Sequence, residues 1–164
     1  MHISTIKRIA VMHMVNHWFV GTRCFEVKNG LLGSIGYEIG EGTKIVGPIT
    51  NTGKLIIGKN CWIGTNITVH GNGCVRIGDN CDIAPDVAFL TGGHEIGGAE
   101  RRAGSGLTYS ITVGSGTWIG ARATIFGNTN IGSGCVIAAC ACVNKSVVDN
   151  TLVGGTPARK IRDV

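Results

Sequence analysis

The chain has 164 residues, with 27 glycines, only three prolines, 43% hydrophobic and 15% charged residues, and a formal charge of +5. A disordered chain would be more charged and less aliphatic, and a collagen-like chain would repeat glycine at every third position beside abundant proline, so both are excluded. No run of like charge is long enough to track a nucleic-acid backbone, whereas a mild positive balance suits a small polyanionic ligand.

The chain opens on a basic, apolar segment from Ile3 to Val20, interrupted by Lys7, Arg8, His13, Asn16 and His17. Its uninterrupted apolar stretches fall far short of the ~20 residues that span a bilayer, and no small-residue cleavage site follows a clean hydrophobic core. Residues 1–34 are therefore expected to form a packed helical cap, with peripheral membrane contact as the lesser alternative. The seven cysteines, Cys24, Cys61, Cys74, Cys81, Cys135, Cys140 and Cys142, include no CxxC pair. Their odd number and spacing speak for free thiols in a reducing, cytoplasmic setting rather than for a zinc finger or a disulfide framework.

From Ile39 a period of six begins: Ile39, Ile45, Asn51, Ile57, Ile63, Val69. A two-residue slip at Asn72-Gly73 precedes Ile77, Ile83 and Phe89, and a longer break precedes Val113, Ile119, Ile125, Ile131, Ile137 and Val143. Only Asn51 among these slots is not a large apolar residue. The following position is mostly glycine or alanine, and the fifth position is small or β-branched, as in Thr43, Cys61, Ile67, Cys81, Val87, Thr117, Ala123 and Cys135. A helical period of 3.6 does not fit, and simple alternation does not explain a repeat of six. Short flat strands joined by tight corners do: the aliphatic residue fills the axis and the small residue lets the backbone turn. One coil cannot bury its apolar edge alone, so coils stack, and three hexads per coil make a triangular prism. An all-β parallel solenoid is expected over residues 35–164, ending in a C-terminal tail. Cys61, Cys81 and Cys135 then point inward as small packing residues. Stacking sets Val69 under Phe89, His70 under Leu90, and Asn66 under Asp86. The slot after Phe89 should fall at residue 95, but the register returns only at Val113, so residues 92–110 are expected to leave the solenoid as a protruding loop. Loops on a rigid scaffold are where function concentrates.

Several motifs resemble the hexapeptide-repeat acyltransferases: Ile77-Gly-Asp-Asn80, Ile83-Ala-Pro-Asp86, Thr91-Gly-Gly-His94, Trp118-Ile-Gly-Ala121 and Gly154-Gly-Thr-Pro-Ala-Arg159. The resemblance covers residues 35–162 and is nearest to the O-acetyltransferases of polysaccharide biosynthesis and of the maltose type, through the Lys28-Asn-Gly-Leu-Leu32 lead-in and the Asn72-Gly73 insert. It implies a left-handed parallel β-helix, a homotrimer with sites between subunits, and acetyl-CoA as the donor, with no metal. His94 falls at the family's catalytic histidine, a general base that takes a proton from an acceptor hydroxyl as that oxygen attacks the thioester. An ordinary imidazole, with a pKa of about 6.5, is mostly neutral at pH 7 and can act so. The resemblance further implies Asn66 at the acceptor; the stacking count sets Asp86 over Asn66 and makes His70 a wall of the acceptor site, and Glu95 is a loop charge placed to select the acceptor. Trp118, Gly120, Ala121, Ala138 and Ala139 match the bed of the pantetheine arm, while Asn144, Lys145 and Arg159 are placed to meet phosphates. The family's Gly-Ala-Gly reads Ala138-Ala-Cys140 here, which adds a methyl and a thiol beside the expected donor.

A sugar hydroxyl is the expected acceptor. Amino sugars and antibiotics are alternatives within the same chemistry. Serine is disfavoured because the long helical N-terminal domain associated with serine acetyltransferases is not seen. A γ-class carbonic anhydrase would need three imidazoles, but Ala99 stands where the second is expected. A non-catalytic assembly solenoid is the remaining alternative, and it predicts that removing His94 changes nothing.

Overall fold

The structure, a computed structural model, describes residues 4–164, so residues 1–3 of the expected cap lie outside the described residues. Strands of two to four residues form three parallel sheets that the chain visits in turn. The first sheet runs from Glu38–Ile39 through Lys54–Ile57, Cys74–Ile77 and Ser110–Val113 to Thr129–Ile131. The second contains Lys44–Ile45, Trp62–Ile63, Asp82–Ile83, Trp118–Ile119, Val136–Ile137 and Thr151–Gly154, closed by the antiparallel Arg159–Asp163. The third contains Ile49–Asn51, Ile67–His70, Ala88–Leu90, Thr124–Phe126 and Cys142–Val143. The sheets are the faces of a triangular prism. No sheet face could hide its own apolar side; the closed prism does so for all three.

The axial slots behave as the repeat requires. All are buried except Ile39, at the first coil, which is partly covered by the cap. Each fully buried Ile or Val contributes about 1.5–3 kcal/mol of transfer free energy. Asn51 is tolerated in its slot because its side-chain oxygen accepts a hydrogen bond from the Gly53 amide at 2.9 Å. At the edge from first to second sheet, Thr43, Cys61, Cys81, Thr117, Cys135 and Thr151 form a buried column. The cysteines there do more than fill space. The Cys61, Cys81 and Cys135 thiols donate to the carbonyls of Gly78, Gly114 and Val148 at 3.1, 3.2 and 3.1 Å, each on the next coil. Thr43 and Thr117 donate to Gly58 and Gly132 in the same way. The adjacent Cys61 thiol and burial both push the Cys81 thiol above the ordinary range, which keeps it protonated as a donor.

Register records both interruptions. Ile39 pairs with Ile57, and Ile57 with Ile77 two residues later than the regular period, while Ile77 pairs with Val113. Val69 pairs with Phe89 and His70 with Leu90, as the count requires. The insert fits because of its glycines: Gly71 has φ +102°, and a Cβ on Gly73 would collide with the Tyr109 carbonyl.

Two expectations are sharpened. The protruding loop is an antiparallel hairpin of Gly92–Ile96 and Ala103–Thr108, with a register shift between His94 and Ile96. Glycines at 92, 93, 104 and 106 carry no period of their own, which hid the strands. The helical cap consists of two helices: α1 (Thr5–His13) continues into a π-helical turn, Met14–Trp18, and α2 (Phe25–Gly33) follows. Val11, Val15 and Leu32 seal the open end of the prism. Asn16 clamps the Ile49 backbone by donating to its carbonyl and accepting from its amide, both at 2.9 Å. Lys28 is fully buried; its ammonium donates to Gly21 at 2.6 Å and Val46 at 3.2 Å and lies 4.5 Å from the Phe25 ring centroid. Burial lowers its pKa, and these contacts offset part of the cost of the charge. No helix among the described residues is long and apolar enough to cross a membrane.

Candidate active site

The hairpin leaves the prism at the edge from third to first sheet, and its base is bolted down. Thr91 is buried; its hydroxyl donates to the His70 carbonyl at 3.0 Å and accepts from the Gly73 amide at 3.2 Å. The Thr91 amide also donates to His70, and the Tyr109 amide to Thr91. The Tyr109 ring packs against the bare backbones of Gly93 and Gly127, where a Cβ would strike it. The insert at 70–73, the hairpin base and the corner at Gly127 are thus one packed unit. Sequence reasoning missed Tyr109 and Gly127; the signal was a lone tyrosine at the point where the register resumes.

His94 sits on the outgoing strand, opposite Gly106. Its side chain is exposed, and its Nδ1 lies 2.9 Å from the Gly104 carbonyl. A carbonyl only accepts, so Nδ1 carries a proton, and in the neutral imidazole the lone pair lies on Nε2. The hydrogen bond selects the tautomer that a general base needs. His94 shares an open cleft of about 580 Å³ with His70, Asn72, Leu90, Leu107 and Thr108. His70 is therefore brought to His94, as the stacking count implies. Glu95, the next residue on the strand, is exposed and does not line the cleft.

Asn66 and Asp86 lie elsewhere, at the edge from second to third sheet. Asn66 donates to Asp86 at 3.0 Å, and Asp86 faces the Arg122 guanidinium at 3.7 Å. Within one chain these residues and His94 occupy different prism edges. Asn66, Asp86, Arg122 and Cys140 repeat one left-handed corner conformation, with φ of 55°, 62°, 61° and 60°. Asn and Asp tolerate it better than most residues, whereas Arg122 and Cys140 hold it under strain.

Along that same edge Gly120-Ala121 stacks on Ala138-Ala139: the Gly120 amide donates to Ile137 at 2.8 Å and the Cys140 amide to Ala121 at 2.9 Å. Gly120 is buried, its missing side chain making room for the Ala138-Ala139 backbone of the next coil, while Ala121 and Ala138 are half-buried and Ala139 is exposed, so small residues line this edge. Trp118, 56% exposed, stands beside it with Trp62 and Pro85 around a hollow of about 430 Å³. Asn144, Lys145 and Arg159 line a second cleft, of about 310 Å³, together with Lys160. The segment 155–158 joins the two groups across the end of the third sheet, where Cys142 donates to Gly155 and Ala158 to Cys142. The expected donor residues thus lie in two neighbouring groups. Among the described residues no cluster of three or more His, Cys, Asp or Glu is arranged to hold a metal ion.

No protein-family model matches the chain. The galactoside O-acetyltransferase of Escherichia coli K12 is 30% identical over 141 residues, covering 85% of this chain and 70% of that enzyme. The chain belongs to the hexapeptide-repeat acetyltransferases. A colanic acid biosynthesis acetyltransferase, WcaF, of the same organism is 28% identical over 139 residues, covering 81% of this chain and 72% of its own length. A galactoside acetyltransferase solved in complex with coenzyme A superimposes with a TM-score of 0.82 at 27% identity, over 96% of this chain and 80% of that one. The 164-residue chain spans 57% and 52% of the length of two yeast relatives that it also matches.

Proposed function

We propose that the protein transfers the acetyl group of acetyl-CoA directly to a hydroxyl of a sugar or polysaccharide precursor, with His94 as general base. The observation that carries this is the Nδ1 contact with Gly104 at 2.9 Å, which leaves Nε2 as a fixed acceptor in a cleft wide enough for a sugar. Nε2 takes the hydroxyl proton while the oxygen attacks the thioester carbonyl. The C–S bond then breaks and the imidazolium returns the proton to the departing sulfur. No acyl-enzyme is needed, and no nucleophile is paired with His94. His70 walls the acceptor side. The relatives that act on galactosides and in colanic acid synthesis support a glycan acceptor.

The donor reading rests on the small-residue track at Gly120, Ala121, Ala138 and Ala139, with Trp118 beside the pantetheine arm. Asn144, Lys145 and Arg159 meet the phosphates by charge-assisted hydrogen bonds. Because the track and His94 lie on different edges of one prism, a site using both draws them from two copies. This favours a homotrimer with sites between subunits, in which Asn66 and Asp86 of one copy reach the His94 cleft of the next. Seven free cysteines suit a reducing, cytoplasmic setting.

Incubation with acetyl-CoA and a panel of sugars, nucleotide sugars and oligosaccharides, read by thiol release, tests the proposal. Release that requires both a hydroxylated acceptor and His94 is the expected result. Coenzyme A binding without turnover on any hydroxyl would overturn the acceptor class, and no binding at all would overturn the enzyme.

A further inference from the structure

The cap carries a surface that neither the prism nor the acetyl-transfer chemistry uses. On α1 the inner face buries Val11, with Val15 on the π-helical turn behind it, and Arg8 stays on that side, 5.9 Å from the Tyr37 ring centroid and donating to Asn51. The outer face is apolar where solvent would favour charge. Ile6 is 79% exposed, Ile9 65% and Trp18 69%, and Val20 follows at 44%. Ile6, Ile9, His13 and His17 follow the helical spacing of one stripe. Trp18 sits at its end, edge-on to His13, and the His13 and His17 rings lie tilted against each other with centroids 4.4 Å apart. Lone exposed hydrophobes are ordinary, but four on one small cap form a patch that calls for a partner.

Charge identifies that partner. No acidic residue precedes Glu26, while Lys7, Arg8 and Arg23 give the first 25 residues three positive charges out of the net +5 of the whole chain. Lys7 and Arg23 are exposed, and neither is in an ion pair among the described residues. An apolar helix face with tryptophan at its border, ringed by unopposed cations, is the composition of a helix that lies in the headgroup region of an anionic bilayer. A protein partner rich in acidic groups would match the cations but not the isoleucines.

We propose that the outer face of the cap docks this protein reversibly on membranes bearing anionic phospholipid, with Ile6, Ile9 and Trp18 inserted at the acyl boundary and Lys7 and Arg23 against the headgroups. The cap closes one end of the prism, so α1 lies flat on the bilayer while the catalytic edges remain in water. This inference uses the cap alone and does not depend on the acetyl-transfer reading.

Sedimentation of the purified full chain with vesicles tests it, comparing phosphatidylcholine alone with phosphatidylcholine mixed with phosphatidylglycerol. Binding is expected only with phosphatidylglycerol, is weakened by salt, and brings a blue shift of Trp18 emission in a Trp62→Phe/Trp118→Phe background. The Ile6→Ser/Ile9→Ser/Trp18→Ser variant should bind at least about tenfold more weakly, and Lys7→Glu/Arg23→Glu should lose the preference for the anionic lipid. Circular dichroism and a melting curve of these variants establish that they are folded. Equal binding to both vesicle types, no binding to either, or unchanged binding of the folded triple variant would each overturn the proposal. So would a change in oligomeric state of the triple variant in the absence of lipid, which would make the face a contact between copies of this chain.

Discussion

The two edges that border the third sheet handle the same turn differently. From the second to the third sheet the chain turns tightly at every coil, through Gly64-Thr-Asn66, Ala84-Pro-Asp86, Gly120-Ala-Arg122 and Ala138-Ala-Cys140. From the third to the first it turns tightly at most coils but departs after Thr91 into the hairpin that carries His94. The first edge is a smooth track made by repetition, suited to a long flexible donor that needs backbone and room. The second is interrupted twice, by the two-residue insert at 72–73 and by the hairpin, which lifts one imidazole off the prism while Thr91 and Tyr109 hold its base. A regular solenoid supplies the rigid spacing that both depend on, and in the proposed reaction the hairpin supplies the base.

Substitutions that strike one edge and spare the other should break this contrast. If His94 is the base proposed above, His94→Ala should lower kcat by about 10²- to 10⁴-fold, with coenzyme A affinity and thermal stability unchanged; calorimetric titration and a melting curve make the comparison. Gly127→Ala places a methyl in the Tyr109 ring. It should cost about 1–3 kcal/mol of stability and lower kcat at constant KM for acetyl-CoA, because it tilts the hairpin without touching the track. Ala139→Leu should do the reverse: KM for acetyl-CoA rises about tenfold, and turnover at saturating donor is largely kept. Cys140→Gly removes a side chain from a corner with φ +60° and should stabilise the fold by about 0.5–1 kcal/mol in urea titration, with a small gain in donor affinity. If Ala139→Leu lowered kcat and left KM unchanged, the division of labour between the edges would be wrong.

Much of the prism was legible because a period of six leaves a column of like residues, and every axial position read from Ile45 onward is buried. Stacking arithmetic also carried across the slip, placing His70 beside Leu90 and Asn66 beside Asp86. The hairpin strands were not legible, since Gly92-Gly93 and Gly104-Ser-Gly106 alternate in no apolar pattern and are held by pairing alone. The helical cap was legible, but not its division into two helices, nor that Lys28 is buried and bonded to the first coil. The cysteine column was read as packing, and its hydrogen bonds to the next coil depend on distances that no spacing reveals.

Sequence alone determined the repeat, the axial residues, the place where the register breaks and the histidine at the opening of that break. All of these follow from local period and composition, which a chain carries before it folds. Tertiary structure decided that the break is a hairpin, that Gly104 fixes the His94 tautomer, and that Glu95 stands outside the cleft while Asn66 and Asp86 stand on another edge. Those facts depend on which corner each coil brings to which face, and that is set by the closure of the prism rather than by any single hexad.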